Sequence, residues 1–205
     1  MLASGHPPNL SPRSRRRKEA GQRLWQEGLR LMAERGIDAC RVEDITLAAG
    51  LAKGTFFTHF PSKDALVSRL TGHLLADLSG RVRQVGLSPL DARSLLAAVG
   101  AVHWRFFQLN PRAASFLGQA WAMAKANREI KALWDDYLDM LAQRIAPAGL
   151  HLDWPGEKAK ELALLLVSSS LGFFWLGRSQ GLAGEIPPEL IERLGRIMAE
   201  GLEKS

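Results

Sequence analysis

Apolar residues three and four positions apart recur along nearly the whole 205-residue chain, and the strict apolar–polar alternation of a half-buried strand is missing. The expected fold class is therefore all-α. From Lys18 to Arg35, the residues Leu24, Gly28, Leu31 and Arg35 share one line, with Trp25, Leu29 and Met32 beside it, and Gly36 closes that helix. A short helix from about Val42 to Ala49 turns Ile45, Ala48 and Ala49 inward, and Gly50 marks a tight turn. A second short helix runs from about Lys53 to His59. Ser62 is a natural N-cap with Asp64 in the first turn, and the helix it opens passes through Leu66, Leu70 and Leu74 toward Arg83.

Beyond residue 86, SPLD opens a helix bearing Leu95, Leu96, Val99, Val102, Phe106 and Phe107, and Asn110-Pro111 ends it and starts the next. Ile130, Leu133, Trp134, Tyr137, Leu138, Leu141 and Ile145 form an amphipathic stripe. Residues 162–177, LALLLVSSSLGFFWLG, carry no charge, but the run is shorter than the roughly 18–20 apolar residues a bilayer span needs, and SSS interrupts it. A helix buried on most sides, in a core or between subunits, is expected there. IPPEL begins a last helix with Leu190, Ile191, Leu194, Ile197 and Met198.

Charge narrows the partners. The net charge is +6, and its placement is uneven: through residue 70 there are 12 Lys and Arg against 7 Asp and Glu, leaving 15 against 14 of the chain's 27 and 21 for the rest. An anionic partner for the first third fits this, although charge alone does not distinguish nucleic acid from an acidic surface. MLASGHPPNLSPRSRRRK has prolines, serines and arginines where an export signal would need an apolar run, so it reads as a disordered basic arm, and a cytoplasmic, non-membrane protein is expected. Cys40 is the single cysteine and forms no intramolecular disulfide; nothing near it suggests an activated thiolate.

The stretch GLAKGTFFTHFPSKDAL, residues 50–66, has the glycines, lysine and threonine of a phosphate-binding loop. Its spacing is G-x-x-x-G-T rather than G-x-x-x-x-G-K-[ST], and helix rather than strand precedes it, so a nucleotide site is set aside. Two short helices joined by Ala-Gly-Leu suit a helix-turn-helix, in which the first helix braces across the DNA backbone and the second lies in the major groove. Ile45, Ala49, Leu51 and Phe56 are spaced to form its small core. That leaves Lys53, Thr55, Thr58 and His59 on the outer side, able to donate hydrogen bonds to phosphates or base edges.

The run GIDACRVEDITLAAGLAKGTFFTHFPSKDAL resembles the DNA-binding signature of the tetracycline-repressor (TetR) family of bacterial regulators. Gly36, Gly50, Gly54, Thr55, His59, Phe60, Ser62 and Lys63 fall at the family's spacing, and the likeness covers roughly Leu24 to Leu70. The resemblance implies that Lys53, Gly54, Thr55, Phe57, Thr58 and His59 hold the recognition-helix positions. Thr55, His59 and Lys63 would lie on phosphate, and Gly54 would let the helix approach DNA closely. Three positions depart from the pattern: Phe57 where a tyrosine is usual, Arg41 where a threonine usually caps the bracing helix, and Thr46 where alanine is usual. Arg41 trades a cap for a longer-reaching cation and joins the candidate DNA contacts. The run SPRSRRRK would follow phosphates or enter the minor groove.

The resemblance also implies an architecture: a basic arm over 1–17, a three-helix helix-turn-helix DNA-binding domain over 18–62, and a helical ligand-binding and dimerisation domain over 63–205. The last two helices would pair with those of a second copy as a homodimer, setting two recognition helices on a near-palindromic operator in double-stranded DNA. His103, Trp104, Phe107, Trp121 and Met123, with Trp134, Tyr137, Phe173 and Trp175, are candidates to line an apolar cavity for a small-molecule effector. No enzyme is expected, because His6, His59, His73, His103 and His151 lack metal-ligand spacing and no nucleophile motif occurs; neither a metal nor a cofactor is implied. The rival reading is a helical carrier for hydrophobic molecules, which would share the basic surface and aromatic cavity but not the helix-turn-helix spacing.

Overall fold

A computed structural model describes residues 11–86, 92–147 and 156–179, with Arg193. Among the described residues every regular element is helical, in the order α1 (Pro12–Arg35), α2 (Val42–Ala48), α3 (Lys53–His59), α4 (Lys63–Arg83), α5 (Ala92–Leu109), α6 (Pro111–Met123), α7 (Arg128–Ile145) and α8 (Gly156–Ser179). The expected last helix, with Leu190, Ile191, Leu194, Ile197 and Met198, lies outside the described residues, as do residues 1–10 of the arm.

Two compact units divide at Val67/Ser68, a few residues beyond the expected boundary at 62, inside α4. The reason is local packing: Leu66 is fully buried, and a Cβ on Gly28 of α1 would come within 2.8 Å of its Cδ2. The first turn of α4 therefore belongs to the N-terminal core. Ser62 caps it as expected, its Oγ accepting from the Ala65 amide at 3.1 Å.

In the first unit, α1 starts six residues earlier than expected. Ser11 accepts from the Ser14 amide at 3.3 Å and Pro12 fills the first turn, where its missing N–H costs nothing. Arg13, Arg15, Arg16, Arg17 and Lys18 are thus helical, correcting the disordered arm for residues 12–17. Ala20, Leu24, Gly28, Leu31 and Met32 form the buried line of α1, which packs on α2 and α3. Gly36, at φ 99°, ends the helix with its amide on the Met32 carbonyl at 3.1 Å. Burial pushes the Cys40 thiol up, keeping it an unreactive core residue.

The second unit packs α8 chiefly on α7 and α5. The α7 stripe buries as expected, through Ile130, Trp134, Tyr137, Leu138, Leu141 and Ile145, and Asn127 caps it by accepting from the Glu129 and Ile130 amides at 3.0 and 3.1 Å. Three carbonyls at and beyond the α4 C-terminus, those of Val82, Arg83 and Val85, accept from the Arg144 guanidinium of α7. In α8 one face is buried through Leu162, Ala163, Leu166, Val167, Leu171 and Phe174, while Leu164, Leu165, Phe173 and Trp175 are exposed within the single chain. Two of the three serines, Ser169 and Ser170, donate their hydroxyls back to carbonyls of their own helix. No described helix is long and apolar enough to cross a membrane.

Candidate nucleic-acid interface

The turn between α2 and α3 is built from main-chain bonds and one glycine. The Gly50 and Leu51 amides donate to Leu47 and Thr46 at 3.1 and 2.9 Å, and Gly50 takes φ 63°, where a side chain would be strained. Arg23 of α1 donates to the Ala49 carbonyl at 3.2 Å and holds the turn from behind. Phe56 and Phe60 sit inside with ring centroids 5.5 Å apart, so α3 is locked against α1 and α2 by its apolar edge.

That locking decides what α3 turns outward. Lys53, Gly54, Phe57 and Thr58 are exposed, and Thr55 and His59 are half-buried at the margin. An added Cβ at Gly54 would meet nothing within 4 Å, so no internal packing calls for a glycine there. Phe57 stands half in solvent at 50% exposure, an apolar tip in a polar row. Thr58 donates to the Thr55 carbonyl at 2.7 Å, and Lys53 pairs with Glu43 of α2 at 2.5 Å. That bond to Lys53 holds the Glu43 carboxyl below its usual range. His59 lies against α1, where a Cβ on Gly21 would come within 3.0 Å of its Nδ1; desolvation, then the Arg17 charge, lowers its pKa.

Lys63, expected on phosphate, is engaged within the protein, and the inward face of α2 differs from expectation at Ala48. Lys63 does not extend freely: its ammonium donates to the carbonyls of Ile37, Asp38 and Cys40 at 2.8, 3.3 and 3.1 Å, which occupies all three of its N–H bonds. Within α2, Ala48 is exposed and Thr46 is buried in its stead, its hydroxyl donating to the Val42 and Glu43 carbonyls, both at 3.1 Å. Arg41 is exposed and offers no acceptor to cap α2; Asp44 instead accepts from the Arg41 amide at 2.9 Å. Sequence reasoning missed Leu47, which is 82% exposed on α2; in DITLAAG it falls off the buried line of Ile45 and Ala49.

In the second unit the aromatic candidates divide. His103, Phe107, Trp121, Trp134 and Tyr137 form one chain of ring contacts, and Phe174, which sequence reasoning passed over, joins at Phe107. Trp104 and Met123 are only half-buried, Phe173 is exposed, and Trp175 leans on Gly118 of α6. His103, a candidate to line the cavity, has both its ring nitrogens engaged within the protein. Nδ1 lies 2.8 Å from the Val99 carbonyl and must donate, so Nε2 accepts from the Tyr137 hydroxyl at 2.6 Å. Full burial pushes the His103 pKa down to about 4 and raises that of Tyr137. Among the described residues no group of three or more His, Cys, Asp or Glu could hold a metal.

Comparison with known proteins decides the family. Residues 25–70 match the family described as bacterial regulatory proteins, tetR family. The chain is 30% identical over 140 residues to the HTH-type transcriptional repressor KstR2 of Mycolicibacterium smegmatis, covering 63% of this chain and 67% of that protein. The chain belongs to the tetR family. A second relative, KstR2 of Rhodococcus jostii, is 39% identical over 95 residues, 45% of each chain. Solved structures share the fold of this tetR-family protein: the fatty acid degradation regulator FadR from Bacillus halodurans has a TM-score of 0.71 at 14% identity, covering 93% of this chain and 96% of that one. FadR from Bacillus subtilis, in complex with stearoyl-CoA, has a TM-score of 0.67 at 16% identity, covering 88% and 96%. Membership in a family of regulatory proteins sets an enzyme aside.

Proposed function

We propose that this protein is a ligand-responsive, sequence-specific DNA-binding transcriptional regulator, a repressor released from a near-palindromic operator by a small apolar or aromatic effector. The observation that carries the reading is the outward row of α3. Lys53, Thr55 and His59 offer donors, the Thr58 hydroxyl, its own hydrogen given to the Thr55 carbonyl, offers an acceptor, Phe57 offers an apolar contact, and Gly54 has a bare backbone with no internal neighbour. A glycine inside a helix costs about 1 kcal/mol against alanine, and close approach by a phosphate or base edge is a reason to keep one. The basic end of α1, Arg13 to Lys18, and Arg41 on α2 extend the charged surface.

Two copies pair through α8 and the segment after it, covering Leu164, Leu165, Phe173 and Trp175. The effector binds among the aromatic residues of the second unit and shifts the population toward a state in which α4 is displaced, weakening DNA binding by its differential affinity for the two states. Couplings of about 1–3 kcal/mol, or roughly 5–150-fold, are ordinary for such switches. The test is selection of bound fragments from a random duplex pool with purified protein. Enrichment of a two-fold-symmetric sequence, bound with a linear dependence of log affinity on log salt, supports the reading. A chain that takes up hydrophobic molecules but enriches no sequence would be a carrier.

A further inference from the structure

Trp134 on α7 is 3% exposed, and its indole Nε1 is buried without a hydrogen-bond partner among the described residues. Buried tryptophans ordinarily find an acceptor, since leaving the N–H unmade forfeits the water it had when unfolded. Neither neighbouring polar group bonds to it: the Tyr137 hydroxyl donates to His103 Nε2, and His103 donates its own N–H to the Val99 carbonyl. Trp121 of α6 stands edge-on to Trp134 at 4.6 Å and is half-buried, so it forms the outer wall of the cluster.

We propose that the Trp134 indole N–H is the polar anchor for the effector, and that the effector is an uncharged, largely apolar ring compound bearing a carbonyl-type acceptor. This rests on the reading of the second unit as the effector-binding part. An acceptor is required because the open group in this aromatic cluster, the Trp134 indole N–H, is a donor; the other unpartnered buried side-chain atom among the described residues is the Ser68 hydroxyl of α4. Neutrality is favoured because the buried polar residues described in the second unit are Ser68, Thr71 and His103, with no lysine or arginine among them, and burial keeps His103 uncharged at neutral pH. A carboxylate entering here would lose its hydration and meet no counter-charge. Aromatic walls from Trp121, Tyr137 and Phe107 favour a flat ligand, admitted as the Trp121 ring swings outward.

The test uses the full chain and three probes of one shape: indane, 1-indanone and indane-1-carboxylate, titrated by calorimetry at pH 7. We expect 1-indanone to bind about fivefold tighter than indane, the worth of one net hydrogen bond, and tighter than the carboxylate. In Trp134→Phe that preference collapses while indane is unaffected. In the unaltered protein one of the six tryptophan indole N–H proton signals moves downfield with 1-indanone and none does with indane, a readout that needs no variant. The anchor is overturned if the ketone preference survives in Trp134→Phe, if the carboxylate binds tightest, or if no indole signal responds. It is also overturned if no probe binds even to Trp121→Ala, in which the outer wall is gone. Gel shifts on the same preparations separate the two ideas: retained DNA binding with no ketone preference sinks the anchor alone, and absent DNA binding sinks the regulator reading whatever the probes do.

Discussion

Replacing Lys63 by methionine distinguishes a structural lysine from a phosphate-binding one. The ammonium donates to three carbonyls in the link between α1 and α2, and two of those bonds, to Ile37 and Cys40, are part-buried at 2.8 and 3.1 Å. Hydrogen bonds to a charged group contribute about 1.5–3 kcal/mol each, and the half-exposed ammonium recovers some of that from water. Counting the two shielded bonds at a discount gives a loss of about 2–3 kcal/mol. For a chain of this length about 2–4 °C of Tm accompanies each kcal/mol, so the variant should melt roughly 4–12 °C lower by circular dichroism. Its binding to the selected duplex, measured well below that temperature, should keep the salt slope of the unaltered protein, because no phosphate contact has been removed. A variant with an unchanged Tm and a log–log salt slope shallower by about 0.9 per site would place Lys63 on DNA and refute the reasoning.

Gly54→Ala should stabilise the free protein by up to about 1 kcal/mol in urea unfolding, since its Cβ meets nothing, yet weaken DNA binding by roughly five- to a hundredfold through steric conflict at the interface; equal affinity would remove Gly54 from it. Arg144→Met strips the carbonyls at the end of α4 of their donor and should cost about 1.5–3 kcal/mol, read as a lower urea midpoint; an unchanged midpoint would show those carbonyls satisfied by water. For His103 the folded pKa of about 4 lies below the ordinary 6.5, so the unfolded chain takes up the proton first. Stability should be fully present above pH 6.5 and fall by as much as about 3 kcal/mol as pH drops to 4, and His103→Gln should lose that part of the slope; identical pH profiles would show that His103 titrates normally when folded.

Helix order and the α2-turn-α3 device were legible because long stripes such as Ile130–Ile145 and the glycine at 50 leave few alternatives. The start of α1 was not, because SPRSRRRK has the composition of a solvated tail, and composition outweighed the Ser11-Pro12 start signal. On α2 the inward placement of Ala48 failed, since seven residues make only two turns and the exposed face is easily misread; Thr46 is buried with its hydroxyl satisfied on its own helix. Motif spacing pointed to Lys63 as a phosphate contact, and His103 stood among the candidates to line the cavity. Spacing along one segment carries no information about carbonyls brought in from elsewhere, such as those of Ile37 and Cys40, or about a hydroxyl 34 residues away on Tyr137.

The most direct measurement is the affinity of the full chain for its selected duplex and for a scrambled duplex of equal composition, across a series of salt concentrations. A preference of about a thousandfold or more at physiological salt, abolished by Thr58→Asp on the outward edge of α3, is the predicted result. Equal affinity for the two duplexes, or indifference to that aspartate, would contradict the claim that this edge reads DNA.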